Sequence, residues 1–335
     1  MKVVLHPFSA ICYWLTVEAL PAASVQLDGR HAKGFAPSRG VADYLRAVCP
    51  ALSFPVHVLV GSGRRTARAD FCFHRFPVAW QKVVFYPVAS GVYVPSPAAT
   101  LVGIAPLLGF EDLCFLANTL CGCFRLDPVS PSGLASREPL SVPASVGELL
   151  ANNPRIRGGR SCAGVLPFVS GGADSPPEVF MKMVFSLPAH RGGLAFGDVQ
   201  ANRDYHPSPR GKSIAGRNVL RPDLLIAGPK GKAAIEYDSD AVRLVSSQAV
   251  RDESKRLALE ADGFKVVSLR PSQLGNRLYM EKVGAELRRN LGLRPLARMD
   301  DFLEARIRLF QMSRTYARYF DGTLGENRGA SGLTL

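Results

Sequence analysis

Two short apolar runs separated by a Gly/Pro/Lys cluster constrain this chain more than any other stretch. Arg221-Pro222-Asp223-Leu224-Leu225-Ile226 leads through Ala227-Gly228-Pro229-Lys230-Gly231-Lys232 into Ala233-Ala234-Ile235-Glu236-Tyr237-Asp238. The runs read as paired strands joined by an exposed turn, yet each carries acid where a core strand should carry none. Strand side chains alternate faces, which sets Glu236 and Asp238 on one face and Tyr237 on the other. Close pairing of the strands adds Asp223 to the set. Carboxylates crowded into a partly buried layer repel unless a proton or cation compensates, and hard divalent ions such as Mg2+ or Mn2+ take oxygen ligands of this kind.

The rest of the chain has the material to bury such a sheet. At 335 residues and 47% hydrophobic composition, it is long enough for two packed domains. Lys and Arg outnumber Asp and Glu by 41 to 28, an imbalance that favours a polyanionic partner and also serves plain solubility. The seven cysteines are odd in number, sit in apolar neighbourhoods and lack paired CxxC spacing, which fits packing thiols in a reducing compartment better than a zinc site. The opening apolar run is interrupted by His6, Pro7 and Glu18, unlike a signal peptide. No stretch reaches the ~20 apolar residues of a membrane span. The expectation is a cytoplasmic protein with no membrane partner.

Along the first third, residues 6 to 20 read as a short buried helix, and Val56–Val60, Phe71–Arg75 and Val83–Tyr86 as strands of a small sheet. Ser96-Pro97 has the form of an N-cap followed by Pro at the first helical position, with the helix kinked or ended at Pro106. A second helix follows at about 110–121. With "HPFSAICYW" near its start and "VPSPAATLVGIAPLLGFEDLCFLANTL" after a strand, this block resembles the middle part of AbiEi-type abortive-infection antitoxin proteins, without a winged-helix segment before it. The resemblance implies an α+β module at 1–125 and a toxin–antitoxin setting. Residues 126–173 have the Pro/Ser/Gly composition of a linker with a helix near 145–152.

Ser175-Pro176-Pro177-Glu178 opens the second domain as a capping box, in which Glu178 is first of all a capping residue. Strands at 197–202, 219–226 and 233–238, a helix at about 247–262 burying Val250, Leu257, Ala258 and Ala261, and a last strand at Phe264–Leu269 follow. This order, with "SPPE", "RPDLLI", "AAIEYDSD" and "RDESKRLALEADGFKVVSLRPSQL", resembles the PD-(D/E)xK restriction-endonuclease-like superfamily, nearest to its very-short-patch-repair-like branch. The resemblance implies an α/β fold with an αβββαβ core at 174–290 and a covering helix and tail at 291–335. It implies Mg2+ (or Mn2+) on Asp223, Glu236 and Asp238, with Glu178 as the acid of the first helix. The sequence departs from the family where Asp238 replaces the terminal lysine and Ser239 and Asp240 stand where such relatives carry Gly and His. Lys255 and Lys232 are the stand-ins for that lysine.

Two basic zones feed this site. Arg191 to Pro222 holds six basic residues in what reads as a mobile loop, and 265–318 holds twelve, with helical periodicity at Phe302, Leu303, Ile307 and Phe310. Arg217, Arg221, Arg251 and Lys255 are the candidate phosphate-backbone contacts, while Asp252 and Arg256 read as an exposed i,i+4 pair. The expected function is a metal-dependent DNA endonuclease in defence or repair. Its alternative is a catalytically inactive nuclease-like DNA-binding, antitoxin or regulatory protein.

Overall fold

The computed structural model describes residues 2–27, 40–61, 69–80, 82–238, 246–296 and 302–315. The chain is a mixed α/β protein in two units. The first takes residues up to Asp127 together with Ala135–Gly171, and the second takes Pro128–Leu134 and everything described from Gly172 onward.

The first unit is built on six strands: β1 (Val3–Leu5), β2 (Val25–Gln26), β3 (Val56–Val60), β4 (Phe71–Arg75), β5 (Val84–Ala89) and β6 (Val92–Pro95). They lie in the order β2-β5-β6-β1-β3-β4, with β1 parallel to β6 and antiparallel to β3, and β3 parallel to β4. Helix α1 (Pro7–Thr16) is capped by His6, whose side chain accepts from the Phe8 amide. Its Trp14 is fully buried and donates to the Pro95 carbonyl and to Thr100 Oγ1, which ties the helix to the end of β6. After α2 (Val41–Val48), α3 (Pro97–Ile104) starts at Ser96, whose hydroxyl accepts from the Ala99 amide. A single 3-10 turn at Ala105–Leu107, carrying Pro106, ends it. Helix α4 (Phe110–Leu120) is, like α3, buried almost all round. Such helices stay folded only if others cover them.

That cover comes from the stretch with linker composition, and here the expectation for 126–173 is corrected. The strands β7 (Phe124–Leu126) and β8 (Leu134–Ser136) form a small hairpin, and α5 (Pro143–Asn152) and α6 (Gly159–Val165) pack on α3 and α4. Gly158 has φ +90°, and a Cβ there would stand 2.1 Å from the Val102 carbonyl oxygen, so this glycine serves close packing rather than flexibility. Arg137 is buried and donates to the carbonyls of Trp14 and Val17 at the end of α1. The change of unit falls at Gly171–Gly172.

The second unit begins with α7 (Pro176–Ser186), buried from Val179 to Phe185 and apolar there except for Lys182. Strands β9 (Val199–Ala201), β10 (Leu224–Gly228), β11 (Gly231–Tyr237) and β12 (Phe264–Leu269) make a sheet in the order β12-β11-β10-β9. β9, β10 and β11 run antiparallel in turn, and β12 is parallel to β11. A parallel neighbour requires a crossover, which is α9 (Ser246–Ala261). Ala233, Ala234 and Ile235 are buried in succession, the mark of a strand covered on both faces. On one face Ala258 and Leu259 pack with Leu220, Ala234 and Phe264.

Three expectations fail on phase or order. On α9, Val250 and Leu257 are exposed and Leu259 is buried, because the covered face begins one position later than the apolar count suggests. The stretch from Arg191 to Pro222, read as a mobile loop around the strand expected at 197–202, holds that strand as β9 and also a helix, α8 (Pro209–Ala215), whose cap Ser208 is held through both its amide and its hydroxyl by Asp262. Beyond α10 (Pro271–Leu274) and α11 (Arg277–Asn290), α12 (Leu303–Thr315) buries Ala305, Leu309, Phe310 and Met312 and leaves Leu303 and Ile307 exposed. Among the described residues, no helix is long and apolar enough to cross a membrane.

Candidate functional site

The site grows out of the β10–β11 register. Leu224 pairs with Ile235, so Asp223 and Glu236 oppose one another one step further on, and paired residues of an antiparallel ladder project to one side. Asp223 Oδ2 accepts from the Tyr237 amide at 2.6 Å. The Glu236 and Lys255 side chains, each about one-fifth exposed, meet at 2.7 Å through Oε2. The second oxygen of Glu236, Oε1, is buried with no hydrogen-bond partner, an unusual state for a buried carboxylate oxygen.

Glu178 closes the site from the start of α7. Its Oε1 accepts from the Ser175 hydroxyl at 2.7 Å, and its Oε2 accepts from the Asp174 amide at 2.9 Å and from Asn202 Nδ2 at 2.5 Å. The same Asn202 amide group donates to the Gly172 carbonyl, and its backbone N–H donates to the Asp223 carbonyl. Asn202 has φ +45°, a conformation that asparagine tolerates better than most residues. It therefore ties the cap of α7 to the strand that carries Asp223.

Burial and mutual repulsion hold protons on these acids. Burial, then the neighbouring Asp223, pushes Glu178 up to about 7. Burial, then Glu236, pushes Asp223 up to about 7, with Lys255 opposing. Glu236 is also raised by burial, against the pull of Lys255. Asp174, raised by burial and opposed by Arg221, adds a further acid that repels Asp223.

The sequence-derived residues do not all meet. Asp223, Glu236, Glu178 and Lys255 cluster, but no three of the acids Glu178, Asp223, Glu236 and Asp238 bring ligand atoms within 4.8 Å of one another. Of the expected metal set Asp223, Glu236 and Asp238, the first two oppose one another across β10 and β11, while Asp238 stands one residue past β11 with its amide donating to the Leu269 carbonyl. Arg217, in the bend after α8, and Arg251, on α9, are exposed, and Arg221 pairs with Asp204 at 3.1 Å. Arg256 bridges Glu253 and Glu260 rather than Asp252. Lys232 lies with its ammonium over the Phe264 ring instead of at the acids, leaving Lys255 as the cation of the site. Sequence reasoning missed Asn202 and Asp174; the polar run after β9 and the acid preceding the Ser175 cap were their signals.

The carboxylate oxygens of Asp223 and Glu236, among them the unpartnered Glu236 Oε1, are hard donors. That set fits Mg2+, which is held by one or two carboxylates and keeps several waters for substrate oxygens to replace. No family model, curated protein or solved structure matches the chain.

Proposed function

We propose that the second unit has a restriction-endonuclease-like core and is a Mg2+- or Mn2+-dependent endonuclease acting on DNA. The observation that carries this reading is the convergence of Asp223, Glu236, Glu178 and the Lys255 ammonium at one end of the β10–β11 pair. The order α7, β9, β10, β11, α9, β12, an antiparallel meander followed by a parallel strand across a helix, supports the fold assignment.

Bound at Asp223 and Glu236, the divalent ion would supply a Lewis acid for a phosphoryl oxygen and a lowered pKa for water. The chain supplies the rest. Asp223 would hold such a cation as the ionised carboxylate, since a ligating carboxylate must be ionised. Lys255, fixed against Glu236, presents positive charge where negative charge develops on phosphorus. Glu178, with three donors on its oxygens, fixes the start of α7 and, through Asn202, the backbone of Asp223. Arg251 and Lys255 lie one turn apart on α9, on one side of the helix. With Arg217 they offer a backbone-contacting surface for a polyanion.

Supercoiled plasmid incubated with the purified chain and Mg2+ or Mn2+ tests the proposal: nicking or linearisation that disappears in Asp223→Asn supports it. A second reading, a DNA-binding relative without cleavage, is favoured by one observation, the neutralisation of Glu236 by Lys255. It predicts retained salt-sensitive binding with no cleavage in either metal.

A further inference from the structure

The first unit holds a cluster that the acidic site does not explain. His6, His57 and His74 lie 51 and 17 residues apart in sequence, yet each offers a ring nitrogen within 4.8 Å of the others. The sheet register makes the meeting. The His6 amide donates to the His57 carbonyl just beyond the β1–β3 pairs, and in the parallel β3–β4 ladder His57 pairs with Cys72 while Leu59 pairs with His74. Residues two apart share a face, so His57 and His74 project to the same side. The His57 backbone N–H is held by Ser9 Oγ at 2.8 Å, and the Phe8 ring lies 4.4 Å from the His57 ring.

We propose that His6, His57 and His74 form a transition-metal site, selective for Zn2+ over Mg2+, with a fourth position left to water. His57 Nδ1 and His74 Nε2 face one another at 2.8 Å, sharing one proton between two lone pairs. A tetrahedral zinc with Zn–N of about 2.0–2.1 Å sets its ligand nitrogens roughly 3.3 Å apart. The ion thus takes the place of the shared proton after the pair opens by about half an ångström. The donor ring moves its proton to its outer nitrogen, so two neutral imidazoles ligate with no net proton released. His6 stacks on His74 with ring centroids 3.9 Å apart. Its Nδ1 now accepts from the Phe8 amide at 3.2 Å, a long hydrogen bond, and one lone pair cannot serve both partners. Ligation through either ring nitrogen therefore gives up that cap bond, because a neutral imidazole has a single lone pair.

The chemistry selects the metal. Imidazole nitrogen suits zinc, copper, nickel and iron, whereas Mg2+ takes oxygen. All three rings are half-buried, which leaves a path for the ion.

Calorimetric titration of the full chain with Zn2+, in excess Mg2+ to occupy the acidic site, tests this. The expected result is one Zn2+ bound at the cluster. His57→Gln and His74→Gln should each weaken it ten-fold or more, at least the loss seen when a supporting residue of a metal site is removed. His190→Gln and His206→Gln, both at exposed positions in the second unit, should leave it unchanged. His6→Asn keeps a cap acceptor for the Phe8 amide while deleting a ligand, and should also weaken binding. Folding of the variants is checked by the fluorescence of Trp14 and Trp80, both buried in the first unit. In the unaltered chain, three of the six histidine ring signals should shift in the NMR spectrum on adding Zn2+. No zinc-dependent shift, or equal affinity in the His57→Gln, His74→Gln and His6→Asn proteins, would mean a hydrogen-bonded stack of rings and overturn the proposal.

Discussion

Asp223→Asn should stabilise the metal-free protein at pH 8, and the gain should vanish on acidification. In the folded chain Asp223 is pushed from 3.8 to about 7 by burial and by Glu236, and Glu178 from 4.5 to about 7 by burial and by Asp223. A raised carboxyl pKa means that the fold prefers the protonated form. Its stability is therefore complete below the unfolded pKa, near 4, and drains away as the pH rises through 7. A shift of this size on one carboxyl corresponds to about 4 kcal/mol. Because Asp223, Glu178 and Glu236 share their protons, about half of that, roughly 2 kcal/mol, is assignable to Asp223. For a unit of this size the equivalent is about 4–8 °C in Tm. The assay is calorimetric melting of both proteins from pH 5 to 8 without divalent metal. The histidines of the first unit destabilise the fold on acidification, in the opposite sense, but they are common to both proteins and cancel in the difference. Trp14 and Trp80 report the first unit separately. An Asn-minus-wild-type difference that stays constant between pH 5 and 8, or a variant less stable at pH 8, would refute the assignment of a strained, proton-holding Asp223.

Three further outcomes follow from particular contacts. Lys255→Met removes the cation from Glu236 and should lower stability by about 2 kcal/mol at pH 7, below the roughly 3–5 kcal/mol of a fully buried pair because both side chains keep some solvent; it should abolish any plasmid cleavage, and full activity in this variant would remove Lys255 from the mechanism. DNA affinity should fall linearly in log–log form with salt, and Arg217→Ala and Arg251→Ala should each reduce the slope by about 1; slopes unchanged in filter binding would exclude these side chains as phosphate contacts. Gly158→Ala should destabilise the first unit by about 3 kcal/mol or more, since it sets a Cβ against the Val102 carbonyl at positive φ; tryptophan-monitored denaturation checks this, and a loss below about 1 kcal/mol would contradict the close approach.

Elements with strong local signals were legible. The Ser96 and Ser175 caps, the strands at 56–60 and 71–75, and the strand at 264–269 lie where turn chemistry and β-branched runs set them. The α/β class followed from these. Side-chain phase was harder. On α9 and α12 apolar residues occupy more than one face, so counting them misjudged which would be covered; Val250 and Ile307 are exposed while Leu259 and Leu309 are buried. The linker reading of 126–173 failed because glycine serves close packing as well as flexibility, and composition does not separate the two. In the site, Asp223 and Glu236 were visible as acids out of place in strands. Their partner Lys255 was visible only as one stand-in of two. The histidine cluster left no local trace, because its spacing is set by three-strand register rather than by sequence separation.

Residues 143–165 belong with α3 and α4, and this bears on how the chain is made. A ribosome that has released only the first 125 residues has emitted a sheet whose two central helices still lack α5, α6 and the Arg137 side chain that holds the end of α1. The nascent first unit must then wait, with apolar helix surface uncovered, until about forty more residues emerge at 5–20 residues per second. Co-translational pulse proteolysis should accordingly find residues 1–125 susceptible and residues 1–171 protected.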